Sequence, residues 1–93
     1  MAKSIIQEDK VCYVTGSTLN LDCHHCIHGS NRKKADRLGL TVLLRHDVHM
    51  ALHAHQKPFQ NLDNELKKVA QLAYEEKVGT REDFLRYFGR NYL

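Results

Sequence analysis

Ninety-three residues, 42% hydrophobic and 27% charged, suffice for one small domain with a modest core and are too few for two. The formal net charge of +3 is mildly basic, a balance that suits nucleic acid without requiring it. No apolar run approaches the ~18 residues of a membrane span, the polar start Met1–Lys10 has no export-signal pattern, and three cysteines fit reduced thiols. The expectation is a cytoplasmic protein with no membrane partner.

In chain order, residues 1–9 are polar and expected to be flexible, with Ile5 and Ile6 as possible anchors. Val11-Cys12-Tyr13-Val14-Thr15 is rich in β-branched and aromatic residues and predicts a strand. Gly16-Ser17-Thr18 predicts a turn, and Leu19 to Ile27 the returning strand of a hairpin. In that strand Leu19, Leu21, Cys23 and His25 fall on one side, and Asn20, Asp22, His24 and Cys26 on the other. His28 to Gly39 reads as a basic loop with a helical turn around Ala35–Leu38. Thr41-Val42-Leu43-Leu44 predicts a short strand, followed by a helix capped by His46 or Asp47 that runs to about His55, with Pro58 beyond it.

The rest predicts two helices. From Asn61 to Val78, Leu62, Leu66, Val69, Ala70 and Ala73 recur at helical spacing, and Gly79 stops the pattern. Thr80 then serves as N-cap with Asp83 as its capping-box partner, and Phe84, Leu85 and Phe88 supply an apolar face. The expected class is α+β: a β-hairpin, basic loop, short strand and helix over 11–55, then two helices over 61–93 that cover the apolar side of the hairpin.

All seven histidines lie between Leu21 and His55. Imidazole is both a proton carrier near neutral pH and the commonest metal ligand. Adjacent His24 and His25 point to opposite faces of a strand, whereas His49 and His53, four apart, share one helix face. A strand offering one ligand and one base, facing a helix offering two ligands, makes a compact metal site. The bland alternative for His49 and His53 is a solvated helix face.

His24-His25 followed by His49-x3-His53 resembles the HNH (His-Cys-box, ββα-metal) nucleases, with a spacing like that of the colicin-type DNases. The surrounding text, Cys12 to Ser17, Gly29, Arg32-Lys33, Gly39-Leu40 and Phe88 to Leu93, is similar to small phage-type HNH proteins. The resemblance runs from about residue 11 to the C-terminus. It implies a ββα-metal fold, a phage or mobile-element origin, and a metal-dependent endonuclease acting on DNA, with RNA as a further candidate. By their match to the family positions, His25 is implied as general base and His24, His49 and His53 as ligands of one divalent ion. Among zinc, nickel, cobalt, manganese and magnesium, an all-imidazole set favours the first four over magnesium, which prefers oxygen. His28, His46 and His55 match no motif position and are expected at the surface.

Two departures from the family stand out. The paired C-x2-C sites that hold a structural zinc in many relatives would fall at Cys12/Thr15 and Arg45/Val48, so only Cys12 remains. Leu40 occupies the place of the middle Asn, which leaves the bracing of His25 to Asp22 or a backbone carbonyl. Cys23 and Cys26 have zinc-knuckle spacing, but a strand turns them to opposite faces. The densest basic cluster, Arg32, Lys33 and Lys34 with Arg37 and Arg45, is the expected phosphate contact. The leading reading is thus a nuclease. The alternatives are a non-catalytic nucleic-acid-binding module and a zinc-stabilised interaction domain built on Cys23 and Cys26.

Overall fold

The computed structural model describes residues 3–93, so Met1 and Ala2 of the expected flexible start lie outside the described residues. Among the described residues the fold is α+β, a two-stranded antiparallel sheet with four α-helices. Leu21–His25 forms β1 and Thr41–Arg45 forms β2, with Leu21 opposite Arg45 and His25 opposite Thr41. The period of two puts Asp22 and His24 on one face with Val42 and Leu44, and Cys23 and His25 on the other, as the alternation predicts. Val42 and Leu44 are buried, so the first face is the core face.

The partner of β1 is not the predicted one. Val11–Thr15 forms no strand. Cys12 is 1% exposed, and its segment closes on itself: Cys12 N–H donates to the Ser17 carbonyl (2.8 Å) and Gly16 N–H to the Cys12 carbonyl (2.9 Å). The Cys12 thiol accepts N–H groups from Thr15 (3.4 Å) and Arg45 (3.2 Å). Burial works to raise the thiol's proton affinity, but these hydrogen bonds outweigh it and lower the net value. A turn anchored on one buried sulfur thus overrides β propensity, and the segment reaches the edge of β2 through that sulfur, at Arg45 N–H, and through Tyr13 N–H, at the Leu43 carbonyl, without forming a strand.

The basic stretch is also more ordered than a loop. A 3₁₀ turn at Gly29–Asn31 leads into α1, Arg32–Leu38. Ala35 is its buried anchor, and Gly39 ends it in the left-handed region, with Leu40 N–H returning to the Ala35 carbonyl (2.9 Å). Only glycine fits there, because a Cβ would collide with the Lys3 carbonyl. The start of the chain is tied down at the same place. Ile5 N–H donates to the Gly39 carbonyl, the Ser4 hydroxyl to the Thr41 carbonyl, and Gln7 accepts the N–H of Leu43, covering the edge of β2 that β1 does not pair.

α2 spans His46–His53, with Asp47 in its first turn as a dipole partner rather than a side-chain cap. α3 spans Leu62–Lys77, within a residue of its predicted bounds, and α4 spans Arg81–Phe88, starting where Thr80 predicts and stopping at Gly89, short of the expected reach to residue 93. The capping box forms as expected: Asp83 N–H donates to the Thr80 hydroxyl (3.1 Å) and Thr80 N–H to the Asp83 carboxylate (3.0 Å). Leu66, Ala70 and Tyr74 of α3 share one buried cluster with Phe84 and Phe88 of α4; Tyr74 meets both rings edge-on, and these two lie with centroids 4.7 Å apart. Fully buried Gln71 escapes the apolar pattern. Its amide accepts Tyr92 N–H (2.7 Å) and donates to Asn91 (2.7 Å), which fastens the C-terminal tail to α3.

Candidate metal centre

β1 and α2 bring the three predicted ligands together. His24, His49 and His53 each offer a ring nitrogen, and these atoms all lie within 4.8 Å of one another, close enough to hold one cation. His24 projects from the core face of β1, and one turn of α2 separates His49 from His53. The chemistry of each ring suits a ligand. His24 is 2% exposed, and its Nε2 is buried with no hydrogen-bond partner, a cost that a bound cation would remove. Burial first, then the neighbouring His49 and His53, push its pKa down to about 4, so the ring is neutral near pH 7.

His49 is held by a carboxylate. Its Nδ1 donates to Asp22 Oδ2 (3.0 Å), which makes Nε2 the lone-pair nitrogen. That Nε2 lies 3.1 Å from Nε2 of His53, near the ~3.3 Å that separates two nitrogens on one tetrahedral ion. Burial and the adjacent imidazoles lower the pKa of His53 as well. Asp22 also accepts from exposed His46 (2.7 Å), and hydrogen bonds from His49 and then His46 hold its carboxyl below the usual carboxylate range. The residue suggested as a brace for His25 therefore braces a ligand instead. It lies on the opposite face of β1 from His25.

His25 takes its support from α1. Its Nε2 lies 3.0 Å from Asp36 Oδ1, and Arg32 Nε donates to its Nδ1 at 3.4 Å. Leu40, where the resemblance expects an Asn, is a fully buried core residue, and its carbonyl accepts the N–H of Cys26. His25, Arg32, His28 and the three ligand candidates line one cleft of about 240 Å³. His25 and Arg32 also line a wider groove of about 890 Å³ with Lys33, Asp36 and Arg37. The two openings thus adjoin at His25 and Arg32.

The predicted basic cluster divides. Arg32, Lys33 and Arg37 face the groove, but Lys34 donates to the Tyr87 carbonyl (2.7 Å) and lies over the Tyr87 ring. Arg45 pairs with Asp47 (2.6 Å) and sits at the end of β2 far from His25. Cys26 is buried, with its thiol pushed up to about 12 by burial, and Cys23 projects from the opposite face. Among the described residues, the ligand group close enough for one ion contains no cysteine.

Sequence reasoning missed three site residues. Asp36, Asp63 and His28 gain their importance only from contacts between separate elements. His28 donates from Nε2 to Asp63 Oδ1 of α3 (2.9 Å), and Lys67 Nζ sits 2.9 Å from the same carboxylate. Burial works to raise Asp63, but hydrogen bonds from His28 and Lys67 outweigh it and hold the carboxyl below its usual range. No helix among the described residues is long and apolar enough to cross a membrane. No family model, curated protein or solved structure matches the chain.

Proposed function

We propose that the chain is an HNH-like, ββα-metal endonuclease that hydrolyses DNA phosphodiester bonds with the help of one divalent ion. The observation that carries this reading is a division of labour on β1: His24 joins His49 and His53 on one face, while His25, on the other, lines the same cleft. Hydrolysis needs a base for the attacking water and stabilisation of the departing 3′-oxygen. For the second, His24, His49 and His53 would hold a divalent ion, whose chemistry there would be that of a Lewis acid. The donor set fits zinc, nickel, cobalt or manganese better than magnesium.

His25 is the base in this reading, because its ring stays outside the ligand group. Asp36 accepts from Nε2–H, so the lone pair resides on Nδ1, the nitrogen able to take a proton from water. Arg32, Lys33 and Arg37 hold the phosphates along the groove that opens beside it. One observation favours the alternative of a non-catalytic binding module: Arg32 already donates to Nδ1 of His25, at a long 3.4 Å. For catalysis Arg32 must leave that nitrogen for a phosphate.

Plasmid nicking by the purified protein across zinc, nickel, cobalt, manganese and magnesium tests the proposal. Nicking with at least one metal and none in chelator is expected. DNA binding without nicking under every metal supports the binding module instead.

A further inference from the structure

The three-histidine group has a fourth imidazole at its margin. His28 follows β1, and its ring centroid lies 6.3 Å from that of His24 and 6.2 Å from that of His53. Within the group the corresponding separations are 5.1, 5.7 and 4.8 Å. Four imidazoles sharing one tetrahedral ion, through bonds of roughly 2.0–2.1 Å, place their ring centroids about 5 Å apart. The three therefore already have the spacing of a shared ion, and His28 stands about 1 Å beyond that spacing from two of them, His24 and His53.

Its hydrogen bonding prepares it to do so. Nε2–H of His28 is given to Asp63, which leaves Nδ1 as a lone pair on a ring that lines the cleft. This repeats the arrangement at His49, where Asp22 takes Nδ1–H and leaves Nε2. The carboxylate of Asp63 is itself fixed by Lys67, and its side chain is 13% exposed. An isolated surface histidine needs no such backing. The His28 side chain is 39% exposed, and it is followed by Gly29 in the left-handed region, so the ring sits at the open margin of the cleft rather than in the packed core.

We infer that His28, backed by Asp63, is a fourth protein ligand that closes the coordination shell of the ion held by His24, His49 and His53. A closed four-ligand shell is the form of structural sites, whereas a catalytic site keeps one position open. His28 is then the residue that a substrate phosphate must displace. This inference rests on the three-histidine centre of the proposed function, and it adds a resting state with no open position.

Titration of the full chain with Co²⁺, followed by visible absorption, together with Zn²⁺ calorimetry, tests it without any activity measurement. The wild type should show the intense absorption of four-coordinate cobalt, and His28→Gln should lose intensity as water replaces the imidazole. His28→Gln keeps an N–H for Asp63 and so preserves the fold, which matching thermal melts of the metal-free proteins would verify. Zn²⁺ should bind this variant at least roughly tenfold more weakly, and Asp63→Asn should shift affinity in the same direction by about 10–100-fold. Unchanged spectrum and affinity in His28→Gln, alongside abolished binding in His49→Ala, overturns the fourth ligand and leaves the three-histidine centre standing. Unchanged binding in both variants overturns the centre and the inference together.

Discussion

Nδ1 of His49 donates to Asp22 Oδ2 across 3.0 Å, and this one hydrogen bond determines which nitrogen of His49 faces His24 and His53. Asp22 reaches it because two residues along a strand return to the same face, so the carboxylate and His24 project together. Carboxylate backing of this kind orients a ligand ring and raises its basicity. Changing His49 to Ala should therefore abolish stoichiometric metal binding. Asp22→Asn should keep it but weaken it by about 10–100-fold. Isothermal calorimetry with Zn²⁺ reads both, and equal affinity in all three proteins would remove His49 from the ligand set.

The division of the basic residues leads to a second expectation. Arg32, Lys33 and Arg37 face the groove beside His25, whereas Lys34 is occupied by Tyr87 and Arg45 by Asp47. Every phosphate that a side chain ceases to neutralise should flatten the slope of log K against log salt by about 0.9. Changing Arg32, Lys33 and Arg37 together to Ala should thus reduce the slope by roughly 2.7. Lys34→Ala and Arg45→Ala should leave it unaltered. Fluorescence anisotropy of a labelled duplex over a salt series separates the two sets, and an equal flattening from Lys34→Ala would place the DNA on a different surface.

What the sequence made legible was local. The opposite faces of His24 and His25, the one-turn spacing of His49 and His53, and the Thr80–Asp83 capping box all follow from the period of one element. What stayed hidden arises between elements. Asp36 gains its meaning only when α1 folds back beside β1, and Asp63 only when α3 passes His28. Helix α1, legible only as a turn around Ala35–Leu38, has a single fully buried residue, Ala35, so the apolar signal of its first half is nearly silent among charges. The false strand at Val11–Thr15 failed for the converse reason. Its local propensity was real, but the buried Cys12 sulfur gathers N–H groups from both sides and bends the chain there.

The capping box at α4 predicts a stability effect with a definite pH dependence. Thr80→Ala removes the acceptor for Asp83 N–H and should cost about 1 kcal/mol near neutral pH. Hydrogen bonds from the Thr80 backbone and hydroxyl hold the Asp83 carboxyl below its ordinary value of 3.8. A folded-state value below the unfolded one gives stabilisation that is complete above 3.8 and fades as pH falls through the folded value. The wild type should therefore lose part of its advantage over Asp83→Asn in strong acid. Urea melts in chelator at neutral and acid pH measure this, and a difference that grows on acidification would reverse the assignment.

The last expectation separates a base from a ligand at His25. Its side chain lies on the other face of β1 from His24, outside the ligand group, and is anchored by Asp36, so removing it should leave that group intact. His25→Ala should bind metal and DNA nearly as well as the wild type, yet cut DNA about 10²–10⁴-fold more slowly, the usual contribution of a positioned general base. Asp36→Asn should lower the rate less, because the imidazole remains but its tautomer is no longer enforced. Added imidazole should partly restore His25→Ala, since the deletion leaves a gap of that shape beside the cleft, and it should do nothing for His49→Ala. Single-turnover cleavage of a labelled duplex at saturating metal measures all four effects. If His25→Ala cuts as fast as the wild type with every metal that supports cleavage, the base is another group. If it loses metal instead, His25 belongs to the coordination shell, and the division of labour along β1 is wrong.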